Sequence, residues 1–129
     1  MANILIIDDD PQMRRLVTLI LNDAGHSVRQ APGGQAGIEK VRQAQPDLVI
    51  TDLVMPDKEG IETIRELHHE FPDIPILAIS GGTPDVYLRA ARELGAQASL
   101  AKPFGADELA EIVNELIARA AGTGKSVPS

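Results

Sequence analysis

Runs of four to six aliphatic residues alternate with amphipathic stretches along the chain, and the change of hydrophobic period separates strands from helices. Ile4–Ile7 reads as a first strand. Asp10-Pro11 then offers a helix N-cap followed by proline at the first helical position, where a missing N–H costs nothing. Met13, Leu16, Val17, Ile20 and Leu21 recur at helical spacing, and Gly25 ends that helix. Ser27–Ala31 is a second strand, less apolar and therefore partly exposed. Pro32-Gly33-Gly34 turns the chain into a helix over Ala36–Ala44, which Pro46-Asp47 stops. Asp47–Thr51 is a third strand, and its unbroken Leu48-Val49-Ile50 suits a strand covered on both faces.

The second half repeats the pattern. After a loop from Met55 to Gly60, a third helix turns Ile61, Ile64 and Leu67 inward until Phe71-Pro72-Asp73 breaks it. Ile74–Ile79 is a fourth strand. Thr83-Pro84-Asp85 opens a fourth helix with the same cap-then-proline signal, and Gly95 closes it. Ala98–Ala101 is a fifth strand, and Ala106–Ala120 a last helix with Leu109, Ile112, Val113, Leu116 and Ile117 along one face. Five strand–helix units in strict alternation imply an α/β fold with a parallel sheet, right-handed crossovers and helices on both faces. Residues 1–121 form one domain on this reading, and 122–129 a polar, flexible C-terminal tail.

Composition narrows the function classes. The chain has 129 residues and a formal net charge of -7, which argues against general nucleic-acid or anionic-membrane binding. It has no cysteine, so disulfides, thiolate catalysis and Cys-ligated zinc are excluded. Its aromatics are Phe71, Tyr87 and Phe104 alone, so the core is aliphatic and no base-stacking platform is expected. The N-terminus lacks a charged region and cleavage site before the first strand, and no apolar run is long enough to span a bilayer. A cytoplasmic location is the expectation.

The chemistry lies at the ends of the strands. Asp8-Asp9-Asp10 follows the first, Asp52 ends the third, Ser80 ends the fourth and Lys102-Pro103 follows the fifth. In a parallel sheet all four lie at the carboxyl edge, where α/β folds bind their ligands. Several carboxylates, a hydroxyl and an ammonium in one crevice suit a hard divalent cation and a phosphoryl group. Asp10 reads as a cap only. The adjacent pair His68-His69 faces two ways on a helix and reads as surface; Lys58 and Glu59 read as solvated loop charges, and Tyr87 as a partly exposed helix side chain.

These segments, together with Pro46-Asp47-Leu48-Val49-Ile50-Thr51-Asp52-Leu53-Val54-Met55-Pro56, Gly60, Ile79-Ser80-Gly81, Gly95-Ala96 and Lys102-Pro103-Phe104, closely resemble the response-regulator receiver domain, the CheY-like family of two-component signalling. The likeness runs from about residue 2 to residue 120. It implies a doubly wound (βα)5 three-layer sandwich with strand order 2-1-3-4-5, whose switch point falls between strands one and three. It also implies a phosphoacceptor switch, not an enzyme in the ordinary sense. Asp52 would be the phosphoacceptor, and Asp9 a direct ligand of Mg2+ (or Mn2+). Asp8 would act on the metal through water, and the main-chain carbonyl of Val54 would complete the ligand set. Ser80 and Lys102 would each contact a phosphoryl oxygen, and Lys102-Pro103 is a candidate cis peptide. The implied partners are a sensor histidine kinase or phosphotransfer protein, and a downstream effector or fused output domain. The surface formed by the fourth helix, fifth strand and last helix would carry the signal, and the family permits a dimer through it. The chain departs from the family at Ser99, where many members carry an aromatic residue that turns inward on activation.

Three other readings compete. An aspartate-nucleophile phosphatase of the haloacid-dehalogenase kind shares Asp-x-Asp after a strand, but Gln12 stands where Thr or Val is expected, no acidic pair follows Lys102, and a cap domain has no room. A flavodoxin-like flavin carrier needs a Ser/Thr/Gly-rich phosphate loop where this chain has three aspartates. A degenerate receiver used only for docking conflicts with the intact acid–Ser–Lys set.

Overall fold

A computed structural model describes residues 2–53, 60–81 and 85–126, with residues 85–87 and 122–126 as backbone alone. Its elements are β1 (Asn3–Ile7), α1 (Pro11–Asp23), β2 (Ser27–Ala31), α2 (Gly34–Gln43), β3 (Leu48–Asp52), α3 (Gly60–Glu70), β4 (Ile76–Ser80), α4 (Asp85–Leu94), β5 (Ala98–Ala101) and α5 (Ala106–Ser126). The strands form one parallel sheet in the order β2-β1-β3-β4-β5. The doubly wound architecture expected from the alternation is the one observed.

Period-2 alternation divides the core in two. Leu5 and Ile7 of β1, Val49 of β3 and Ile76 and Ala78 of β4 face Ile38 and Val41 of α2, Ile64 and Leu67 of α3 and Ala91 of α4. Ile4 and Ile6, Leu48 and Ile50, and Leu77 and Ile79 face the other way, onto Val17 and Leu21 of α1 and Leu109, Val113 and Leu116 of α5. Each aliphatic side chain fully buried in these two layers contributes about 1.5–3 kcal/mol, so the three central strands supply most of the driving force. β2, at the sheet edge, is only partly covered, as its mixed composition predicts.

Local chemistry sets several boundaries. The Asp10 carboxylate accepts from the Gln12 amide at 2.9 Å and Pro11 opens α1. Gly95 closes α4 at φ 138°, a left-handed conformation that favours glycine, with the Ala96 amide reaching back to the Ala91 carbonyl at 2.9 Å. Arg29 of β2 donates to the Ala44 carbonyl at 2.6 Å, satisfying an orphan acceptor at the end of α2.

Some sequence expectations are corrected. β4 begins at Ile76, not Ile74, because Pro75 has no N–H and the Ile74 amide is used in a turn to the Phe71 carbonyl at 3.1 Å. α2 starts two residues early, at Gly34, and β3 includes Asp52. α5 continues past Ala120 to Ser126, although Gly122 and Gly124 in that last stretch are poor helix formers. Leu16, counted with the inward stripe of α1, is 44% exposed, and Val17 and Leu21 carry the contact instead. His68 is half-buried, not on the surface. Its ring packs on Gly95, and its Nδ1 is buried with no hydrogen-bond partner among the described residues. The opening Thr83-Pro84 of the fourth helix, the Tyr87 side chain, Lys58 and Glu59 lie outside the described residues.

Candidate phosphoacceptor site

Sheet register brings the strand-end residues together. Ile7 pairs with Thr51, which sets Asp8 level with Asp52; Asp52 pairs with Ile79 and Ser80 with Ala101. The ladder continues one step further, the Lys102 amide donating to the Ser80 carbonyl at 2.6 Å. Asp8, Asp9, Asp52, Ser80 and Lys102 therefore share the carboxyl edge of the sheet beside the β1/β3 switch point. The Val54 carbonyl lies outside the described residues.

Three carboxylates meet there. Asp8, Asp9 and Asp52 each offer an oxygen within 4.8 Å of the others'. Asp8 is 1% exposed and Asp52 9%, while Asp9 is open to solvent. The Lys102 ammonium stands 3.5 Å from Asp8 Oδ2 and 3.7 Å from Asp52 Oδ1, bridging the two buried acids. Asp52 Oδ1 also accepts from the Leu53 amide at 2.9 Å, and the Thr51 hydroxyl donates to the Asp52 carbonyl at 3.0 Å. Asp8 Oδ1 accepts from the Asp10 amide at 2.9 Å. Its Oδ2, the oxygen facing the Lys102 ammonium, is buried with no hydrogen-bond donor among the described residues.

Among the described residues the charge balance of the site is incomplete. Burial, then repulsion from Asp8, pushes the Asp52 carboxyl up to about 6, against the pull of Lys102 and the Leu53 amide. Burial likewise raises Asp8, although the Asp10 amide and Lys102 oppose it. One ammonium does not neutralise three carboxylates, and a buried oxygen lacking a donor is costly. An oxygen-ligated divalent cation suits both deficits.

The backbone around Asp52 is tight. A Cβ on Gly60 would overlap the Asp52 carbonyl oxygen and lie 2.5 Å from Leu53 Cα, so α3 enters the site only through glycine. Gly81, after β4, runs along the aliphatic stem of Lys102, 3.1 Å from its Cδ to an added Cβ. Lys102-Pro103 is cis, as the resemblance implied.

Sequence reasoning missed one participant. Arg14, in the first turns of α1, donates from Nη1 to the Asp8 carbonyl at 2.7 Å and from Nε to Gln30 Oε1 of β2 at 3.2 Å. An arginine near a helix N-terminus opposes the helix dipole, and that misfit directly after three aspartates was the available signal.

The family model for the response regulator receiver domain matches residues 4–114. Protein PilH of Pseudomonas aeruginosa is 32% identical over 120 residues, an alignment covering 92% of this chain and 99% of PilH. The KDP operon transcriptional regulatory protein KdpE of Escherichia coli is 37% identical over 109 residues, covering 84% of this chain and 48% of KdpE. The chain thus spans about half of KdpE, and it spans 24% of the DNA-binding transcriptional regulator NtrC of Azospirillum brasilense. Among solved structures, the CheY-like receiver domain protein of Methanospirillum hungatei superposes with a TM-score of 0.92 at 25% identity, covering 95% of this chain and 98% of that one. NtrX of Brucella abortus, in complex with ADP, superposes with a TM-score of 0.93 at 28% identity over 97% of this chain and 29% of its own. The matched family, the shared sheet order and the acidic cluster at the strand ends agree, and the chain belongs to the response regulator receiver domain family.

Proposed function

We propose that this chain is a phosphoacceptor switch that takes a phosphoryl group on Asp52 from a histidine kinase or phosphotransfer protein. The observation that carries this reading is the Lys102 ammonium bridging the buried Asp8 and Asp52 carboxylates at the edge where Asp9 joins them. In the transfer, an Asp52 carboxylate oxygen attacks phosphorus. The bond from phosphorus to the donor's imidazole nitrogen breaks, and an acyl phosphate remains on Asp52. Lys102 pairs with one developing equatorial oxygen and the Ser80 hydroxyl donates to another. Asp8, Asp9 and Asp52 would hold Mg2+ (or Mn2+), with the Val54 carbonyl added on the family pattern. The bound ion supplies positive charge that offsets the carboxylates and the incoming phosphoryl oxygens. The site is not built to turn over an external substrate; self-phosphorylation from small donors and slow self-dephosphorylation complete its chemistry.

The switch follows from Ser80. It sits where β4 leads toward α4, and drawing its hydroxyl to a new phosphoryl group biases that junction. The readout is the α4-β5-α5 face, which serves a downstream effector, a fused output domain or a second copy of this chain. Ser99 stands on β5 in place of an aromatic switch, so the signal passes through the Ser80–Lys102 junction itself. A cytoplasmic setting agrees with the absence, among the described residues, of any helix long and apolar enough to cross a membrane. Residues 1–121 act as the receiver.

Amide chemical shifts of a 15N-labelled chain, recorded before and after addition of acetyl phosphate with magnesium, test the switch. Changes are expected at Asp8–Asp10 and Asp52, and also at Ser80, Gly81, β5 and α4. Changes confined to the acidic pocket would leave an acceptor without a switch and overturn the reading.

A further inference from the structure

Asp8 is held from three sides. Its amide donates to the Ala31 carbonyl at 3.1 Å, its Oδ1 accepts from the Asp10 amide, and its carbonyl accepts from Arg14. The oxygen these bonds leave free, Oδ2, lies toward Lys102 and the acidic cluster. Of the three, the Arg14 bond is the one made by a side chain reaching in from another element. It is charge-assisted, short at 2.7 Å, and half-buried. The same guanidinium is braced by Gln30 on the neighbouring strand. One planar fork thus ties α1, β2 and the β1–α1 turn that presents Asp8 and Asp9.

We infer that Arg14 is a positioning residue that sets the spread of the acidic cluster and thereby its preference for magnesium over calcium. The inference rests on reading that cluster as a cation site. Magnesium demands near-ideal octahedral geometry at about 2.0–2.1 Å, whereas calcium accepts looser arrangements at about 2.3–2.6 Å. A turn fixed to a few tenths of an ångström serves the first ion; a turn released from its brace serves the second as well. Charge alone makes the opposite prediction: removing a nearby cation would strengthen binding of either divalent ion.

Isothermal titration of the apo chain with Mg2+ and, separately, Ca2+ tests this on wild type, Arg14→Ala, Arg14→Lys, Gln30→Ala and Asp52→Asn. Arg14→Ala is expected to weaken Mg2+ binding about tenfold, in the range for losing a group that orients a metal ligand, and Ca2+ binding much less. Arg14→Lys, which keeps the charge and one bond but not the fork, falls between. Gln30→Ala moves in the same direction by a smaller factor, and it still reads the brace if Arg14→Ala misfolds by circular dichroism. Tighter or unchanged Mg2+ binding in Arg14→Ala, or equal weakening for both ions, overturns the inference and leaves the site reading intact provided wild type binds Mg2+ and Asp52→Asn does not. Failure of wild type to bind Mg2+ at all overturns both.

Discussion

In EDTA at pH 7.5 the Asp52→Asn chain is expected to be more stable than wild type by on the order of 3 kcal/mol, an advantage that fades as the pH falls toward 4. The Asp52 carboxyl is raised from 3.8 to about 6 in the folded state, first by burial and then by Asp8. Folding therefore favours its protonated form. Below about 4 the group is protonated in both states and costs nothing. Between about 4 and 6 the folded chain binds more protons than the unfolded one, so wild-type stability drops as pH rises through that window. Above about 6 the full cost is present. Asparagine has the same shape and no charge, so it escapes that cost, together with the repulsion from Asp8 and the attraction of Lys102. Urea unfolding followed by far-UV circular dichroism from pH 4 to 7.5 measures it. Magnesium at a hundred times its Kd adds about 2.7 kcal/mol to wild type alone and nearly closes the gap. Equal stability of the two apo chains at pH 7.5 would contradict the electrostatics described for the site.

Gly60→Ala carries the second large effect. Alanine is ordinarily the better helix former by about 1 kcal/mol, and Gly60 is the first residue of α3. Here the new methyl meets the Asp52 carbonyl oxygen, Leu53 Cα at 2.5 Å and Leu53 carbonyl carbon at 2.8 Å. All three are backbone, so no side chain can swing aside. The end of β3 or the start of α3 must move, at a cost of roughly 2–4 kcal/mol, and Asp52 moves with it. Gly81→Ala is the contrast: its nearest neighbour is the flexible Lys102 stem at 3.1 Å, and a loss under about 1 kcal/mol is expected. Thermal unfolding of the two variants, with phosphorylation rates from a small donor, checks both. A Gly60→Ala chain as stable and as reactive as wild type would contradict the close approach of α3 to Asp52.

Much of this molecule was legible in its sequence because its signals are local. Ile4–Ile7 and Leu48–Ile50 are short runs apolar on successive residues, which suits a strand covered on both faces, and Asp10-Pro11 marks a helix start without help from elsewhere. The site was legible for a related reason: in a parallel sheet, residues that end strands share an edge whatever the loops do, so Asp8, Asp52, Ser80 and Lys102 assemble from topology alone. Details that depend on which face meets which neighbour were not legible. Leu16 has the right spacing for the α1 stripe but sits at its margin and faces out. His68 looked solvated beside His69, yet the missing side chain of Gly95, just past the end of α4, makes a seat for its ring. Arg14 reaches Asp8 and Gln30 across three elements, a contact no one-dimensional pattern contains.

The most direct test of the acceptor role is the intact mass of the chain after incubation with acetyl phosphate, with magnesium and again with EDTA, for wild type and Asp52→Ala. A single phosphoryl adduct that requires both magnesium and Asp52 is the predicted result. No adduct on folded wild-type chain, or an adduct that survives Asp52→Ala, would contradict it.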